Sequence, residues 1–151
     1  MSPRPSGVPI GLQLSRTARA ASRAFDAALT QAGGSLPTWL VLLAVRTRDA
    51  ASQRELAAEV GIQGATLTHH LNAMEDDGLL TRRRDPANRR VHLVELTKAG
   101  EAMFDRLRTV AVAHDRRLRA GLHDNEIEVV RGVLSRMLTN LGEHVEPATK
   151  A

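Results

Sequence analysis

A mainly helical α+β fold of six helices and one β-hairpin, in the order four helices, hairpin, two helices, is what this 151-residue sequence predicts. Three observations carry that reading. Apolar residues recur at spacings of three and four over most of the chain, the register of amphipathic helices. The stretch that breaks the register, Leu79 to Thr97, places the turn residues Asp85-Pro86-Ala87-Asn88 between two short runs suited to strands. Aromatic residues make up 2% of the chain, so the core is built of Leu, Val, Ala and Met, which favours helices.

The elements follow in order. Residues 1–8, with Pro3, Pro5 and Gly7, read as a flexible lead-in. From Pro9, the residues Ile10, Leu14, Ala18, Ala21, Phe25 and Leu29 mark an amphipathic helix that stops at Gly33-Gly34. Pro37 suits a helix first turn, and Trp39, Leu40, Leu42, Leu43 and Val45 follow in a short helix apolar enough to sit at the centre of the core. Ser52-Gln53-Arg54-Glu55 is a capping box opening a helix with Leu56, Ala57 and Val60 inward, and Gly61 closes it in the left-handed conformation. After a turn of about three residues, a helix from Gly64 to Asp77 carries Leu67, His70, Leu71 and Met74 on one stripe. The hairpin strands are Leu79 to Arg84 and Val91 to Leu96. Thr97 caps a long helix with Met103, Phe104, Leu107, Val110, Ala111, His114 and Leu118 on one stripe, ending near Gly121. The last helix runs from Asp124 to Glu143 with Ile127, Val130, Leu134, Met137, Leu138 and Leu141 inward.

Composition excludes several functions. Without cysteine there is no disulfide, thiolate metal site or thiol redox sensor. No apolar run approaches the about 20 residues of a membrane span, and the N-terminus has no signal-peptide core, so a soluble cytoplasmic protein without a membrane partner is expected. Glycine-rich phosphate loops, nucleophile elbows and metal-ligand spacings are missing, so neither an enzyme nor a cofactor or metal site is predicted. Charge is informative in its placement: Arg82, Arg83, Arg84, Arg89 and Arg90 against Asp85 give the hairpin the whole chain's formal +4. A compact cationic finger on an otherwise neutral protein suits a polyanion, because each phosphate neutralised by arginine releases counterions; a solvated, solubilising hairpin is the alternative.

Two short helices joined by a tight glycine turn and followed by a basic hairpin are the elements of a winged helix-turn-helix, whose second helix enters the major groove of double-stranded DNA while the hairpin, or wing, reaches the backbone or minor groove. The run SQRELAAEVGIQGATLTHHLNAMEDDGLLTRRRDPANRRVHLVELTKAGE resembles the signature of the MarR (multiple antibiotic resistance regulator) family of bacterial transcription factors. The likeness lies in the helix closed by Gly61-Ile62, the Ala65-Thr66-Leu67-Thr68 opening, Glu75 with Gly78-Leu79-Leu80, the Arg84-Asp85-Pro86 wing with Arg89-Arg90, and the closing Leu96-Thr97-x-x-Gly100. It extends over about residues 9 to 143. The resemblance implies long N- and C-terminal dimerisation helices (9–34 and 97–143) around a DNA-binding lobe (37–96), with 144–151 a tail, and a homodimer, more often a repressor, on a palindromic operator. It places Gln63, Ala65, Thr66, Thr68 and His69 at the major groove and Ser52 and Gln53 on phosphate. Arg89 and Arg90 form the wing tip, and Arg82 and Arg84 contact phosphate or brace the wing. Two departures stand out: Asn88 replaces an aspartate that often holds the wing arginine, implying a more mobile wing, and His69 stands where Arg or Lys is common.

His70 and His114 interrupt otherwise apolar stripes; the resemblance implies a ligand crevice between the dimerisation helices and the DNA-binding lobe, for which they and Trp39 are the candidate lining. The resemblance implies a small aromatic or phenolic effector there; core histidines bonded to a backbone carbonyl or carboxylate are the alternative. A winged-helix protein-interaction module without DNA binding is the alternative function, and the recognition helix, which has no Lys or Arg, gives it some weight.

Overall fold

The computed structural model describes residues 7–48 and 51–143. The expected lead-in, apart from Gly7 and Val8, and the expected tail lie outside the described residues. The chain divides into two compact units, a first ending at His114 and a second beginning at Asp115. Its elements are α1 (Ile10–Gln31), α2 (Leu36–Arg48), β1 (Ala51–Ser52), α3 (Gln53–Val60), α4 (Gly64–Asp76), β2 (Leu80–Arg84), β3 (His92–Leu96), α5 (Lys98–Arg119) and α6 (Asp124–Asn140). The predicted order holds, with one strand added.

The core of the first unit centres on α2, whose Trp39, Val41, Leu42, Ala44 and Val45 are buried. Leu29 of α1, Leu56 of α3, Leu67, Leu71 and Met74 of α4, Leu80 and Val94 of the hairpin, and Phe104 and Leu107 of α5 join them in one cluster. Each such side chain contributes roughly 1.5–3 kcal/mol by leaving water. Leu43 lies on the open side of α2. Trp39 stacks on Phe104, with ring centroids 5.6 Å apart.

The capping box forms as predicted. The Glu55 amide donates to Ser52 Oγ (3.2 Å), and the Ser52 amide donates to Glu55 Oε2 (2.9 Å). Gly61 ends α3 in the left-handed region (φ 71°), so α4 starts after a short turn.

The sheet is antiparallel in the order β1-β3-β2. Leu80 pairs with Leu96 and Arg84 with His92, while β1 sets Ala51 opposite Val94 and Ser52 opposite Leu93. The hairpin is thereby anchored on one side to the entrance of α3. The other anchor is the start of α5. Thr97 donates its hydroxyl to the Gly78 carbonyl (2.5 Å) and accepts the Gly100 amide (3.1 Å). Gly100 is buried so tightly that an added Cβ would lie 1.9 Å from the Leu79 carbonyl oxygen.

Two apolar stripes stay open in the single chain. Ile10 and Leu14 of α1 are 63% and 40% exposed, and α1 buries only Leu29. No residue of α6 is buried; Val130, Leu134, Leu138 and Leu141, expected inward, are open to solvent. A unit made of α6 and the end of α5 has too few layers to enclose such a stripe. Arg119 links the two helices there, pairing with Asp115 and Asp124. Among the described residues no single helix is long and apolar enough to cross a membrane.

Candidate nucleic-acid interface

Burial of Leu67, Leu71 and Met74 orients α4, because residues on the opposite side of a helix must then face out. Ala65, His69, Asn72 and Asp76 occupy that outward stripe at spacings of three and four, and all are exposed. Gln63, which precedes the helix, and Thr66 on its flank are exposed as well. The free amides of the first turn add partial positive charge at this end of the helix.

Three of the residues expected at the DNA surface already hold partners within the protein. Thr68 Oγ1 donates to the Gly64 carbonyl (2.9 Å) and accepts from Gln53 Nε2 (3.3 Å), which ties α3 to α4. Ser52 donates its hydroxyl to Glu55 Oε2 (3.0 Å), within the capping box. These hydrogen bonds hold the Glu55 carboxyl below its usual range: the backbone donor of Ser52 contributes most, its side chain next, with Arg48 adding attraction. Arg54, in the exposed first turn of α3, is a cation to which the sequence reading gives no role. It lies outside the arginine-rich hairpin.

The hairpin sorts its arginines. Arg82 donates from Nε (3.0 Å) and Nη2 (2.5 Å) to Glu75 Oε2, and from its backbone amide to Oε1 (3.1 Å). Its Nη2 also reaches Asn72 Oδ1 (2.7 Å). Of the two expected roles, bracing or phosphate contact, this geometry is a brace between the hairpin and α4. Neither Asn72 nor Glu75 was singled out for it. Arg82 lowers the Glu75 pKa chiefly through its side-chain hydrogen bonds. It also offsets a carboxylate at the negative end of the α4 dipole. Arg83 lies on the other face of β2 and donates from Nη2 to Glu95 Oε1 (2.7 Å), a diagonal cross-strand pair that lowers the Glu95 pKa.

Arg84, Arg89 and Arg90 are exposed, and among the described residues their guanidinium groups have no hydrogen-bond or ion-pair partner. The turn beneath them is ordered by short contacts. Asp85 Oδ1 accepts from the Ala87 amide (2.9 Å), and Asn88 Oδ1 accepts from the Arg90 amide (3.2 Å). Asn88 thus holds the backbone of the arginine whose side chain an aspartate would pair.

A cavity of about 450 Å³ is walled by Gly33, Gly34, Ser35 and Thr38 from the α1–α2 junction, by His70, Ala73 and Met74 of α4, and by Asp77, Leu79 and Met103. His70 lines it, whereas Trp39 and His114 are not among its walls. Trp39 belongs to the core, and His114 stacks on Phe25 of α1 with centroids 4.8 Å apart. The three residues expected at one crevice are therefore not brought together at this cavity. A histidine on an apolar stripe shows which way it faces, but not its neighbour.

Residues 35–92 match the model of the MarR family. An uncharacterised HTH-type transcriptional regulator of Bacillus subtilis, YdgJ, is 31% identical over 93 residues, 62% of this chain and 57% of its own length. The chain thus spans little more than half of that relative. Among solved structures, the transcriptional repressor CouR bound to a 23-mer DNA duplex is 26% identical, covers 85% of this chain and 92% of its own, and superposes with a TM-score of 0.77. CouR from Rhodococcus jostii RHA1 bound to p-coumaroyl-CoA is also 26% identical, covering 91% and 95%, with a TM-score of 0.74.

Proposed function

We propose that the chain is a MarR-family DNA-binding transcription regulator, a ligand-responsive repressor that binds an imperfectly palindromic operator as a homodimer. Its relatives are regulators rather than enzymes. One observation supports the DNA-binding assignment above the rest: three arginines without a side-chain partner among the described residues stand at the tip of a hairpin whose root is fastened to the outward-facing helix of a helix-turn-helix. In the proposed complex Gln63, Ala65, Thr66 and His69 face the major groove. Gln53 and the α3 amides lie on phosphate, and Arg90 enters the minor groove beside Arg89 and Arg84. Ser52 and Thr68 would reach DNA only by exchanging their internal hydrogen bonds.

The exposed apolar stripes of α1 and α6 support the dimer, since single apolar residues at a surface are ordinary but stripes of them are not. Two-fold pairing predicts half-sites about one helical turn, ~10 bp, apart. Selection of bound sequences from a random duplex pool, with sedimentation of the free protein, tests this reading. A preferred site with dyad symmetry and a dimer at micromolar concentration are expected; a monomer, or a site without a dyad, would contradict it.

The cavity beside His70 supports an effector site, and the CouR complex with an aromatic thioester supports the aromatic class. A ligand there changes DNA affinity only by as much as it prefers one arrangement of the two recognition helices. Aromatic carboxylates and phenols titrated against Trp39 fluorescence and DNA release should act more weakly on His70→Ala than on wild type. His114→Ala, which is not among the cavity walls, should respond like wild type.

A further inference from the structure

We infer that the recognition helix selects its half-site through thymine methyl groups, contacted by Ala65 and the Thr66 methyl, with Gln63 on adenine, and not through bidentate reading of guanine. The inference rests on the DNA-binding reading above and deepens it. Bidentate guanine recognition needs an Arg or Lys at the groove, and α4 has neither. The wing arginine nearest the helix, Arg82, is held in place by Glu75 and Asn72, so it does not substitute. Those same contacts draw the Asn72 carbonyl oxygen back toward the protein.

What remains exposed at the N-terminal end of α4 is chemically narrow. Ala65 and Thr66 present methyl groups, Gln63 presents a free amide, and Thr68 has its hydroxyl engaged on both sides. Methyl groups pack against the thymine C5 methyl, and glutamine pairs in bidentate fashion with adenine N6 and N7. His69 adds a single hydrogen bond, too little for the two-point guanine contact. Affinity then comes from the wing and the helix amides, and base choice from shape and methyl contact.

The test uses the full-length protein and the duplex recovered from pool selection. Each thymine is replaced in turn by deoxyuridine, which removes only the C5 methyl, and each guanine by 7-deazaguanine, which removes only N7. Two deoxyuridine positions per half-site should weaken binding about fourfold each, the worth of one buried methyl group. Ala65→Gly should erase the penalty at one of them and Thr66→Ser at the other, with the slope of affinity against salt unchanged. Deoxyuridine without effect, or 7-deazaguanine with the larger effect, would overturn the inference while leaving the protein a sequence-specific regulator. A pool that yields no preferred sequence would overturn both.

Discussion

Five arginines sit on one hairpin, and the two at its root differ from the three at its tip in what holds their guanidinium groups. Arg82 and Arg83 are fastened to Glu75 and Glu95, whereas Arg84, Arg89 and Arg90 have no side-chain partner among the described residues. The same residue type therefore has two tasks. At the root, Arg82 ties the hairpin to α4 through Glu75, and Arg83 ties β2 to β3 through Glu95. Tip arginines keep their donors available, which suits a contact made with phosphate or a narrow groove.

The largest expected effect breaks the root outright. Gly100→Ala would drive a methyl group into the Leu79 carbonyl, a backbone atom that cannot rotate away. Urea denaturation should show a loss of about 3 kcal/mol or more, if the variant folds at all. A normal midpoint would mean that the junction of wing and α5 is more pliable than this packing implies.

Arg82→Ala separates the brace from the tip. It removes three hydrogen bonds to Glu75 and Asn72, so thermal stability should fall, and hydrogen exchange across β2 should quicken. Arg90→Ala should leave stability within about 0.5 kcal/mol of wild type, as for a surface change with no partner. Its effect should be on binding, weakening specific and unrelated duplexes by similar factors. Equal destabilisation by the two variants would erase the distinction between root and tip.

A smaller effect is expected from pH. Hydrogen bonds from Arg82, Arg83 and Ser52 hold the carboxyls of Glu75, Glu95 and Glu55 below their ordinary range. A folded pKa below the unfolded value, about 4.3 for glutamate, contributes stability that is complete above that value and is lost as pH falls through the folded one. Unfolding followed across pH should therefore show the root contacts weakening only below about pH 4. For Glu75→Gln that part of the acid dependence should be absent.

Much of this architecture was legible because its signals are local. The capping box at Ser52 and Glu55, the left-handed Gly61 and the turn at Asp85 to Asn88 each lie within a few residues, and the helices and hairpin start and stop close to where they predict. Non-local features were not. The two residues of β1 pair with Val94 and Leu93 some forty positions away, and nothing in so short a strand announces itself. The α6 stripe is apolar as its spacing predicts, yet no residue of it is buried within the single chain, because periodicity reports a face and not what covers it. Likewise, an arginine's partner is invisible until folding brings Glu75 across Gly78 to the hairpin root.

The most direct test of the division within the wing is the salt dependence of duplex binding, compared for wild type, the tip variant Arg84→Ala/Arg89→Ala/Arg90→Ala and the root variant Arg82→Ala/Arg83→Ala. Each lost phosphate contact should flatten the slope of log affinity against log salt by about 0.9. The account predicts a slope clearly flattened for the tip variant, by up to about three such steps, and a slope close to wild type for the root variant even where its affinity falls. Equal flattening in both, or flattening confined to the root, would contradict it.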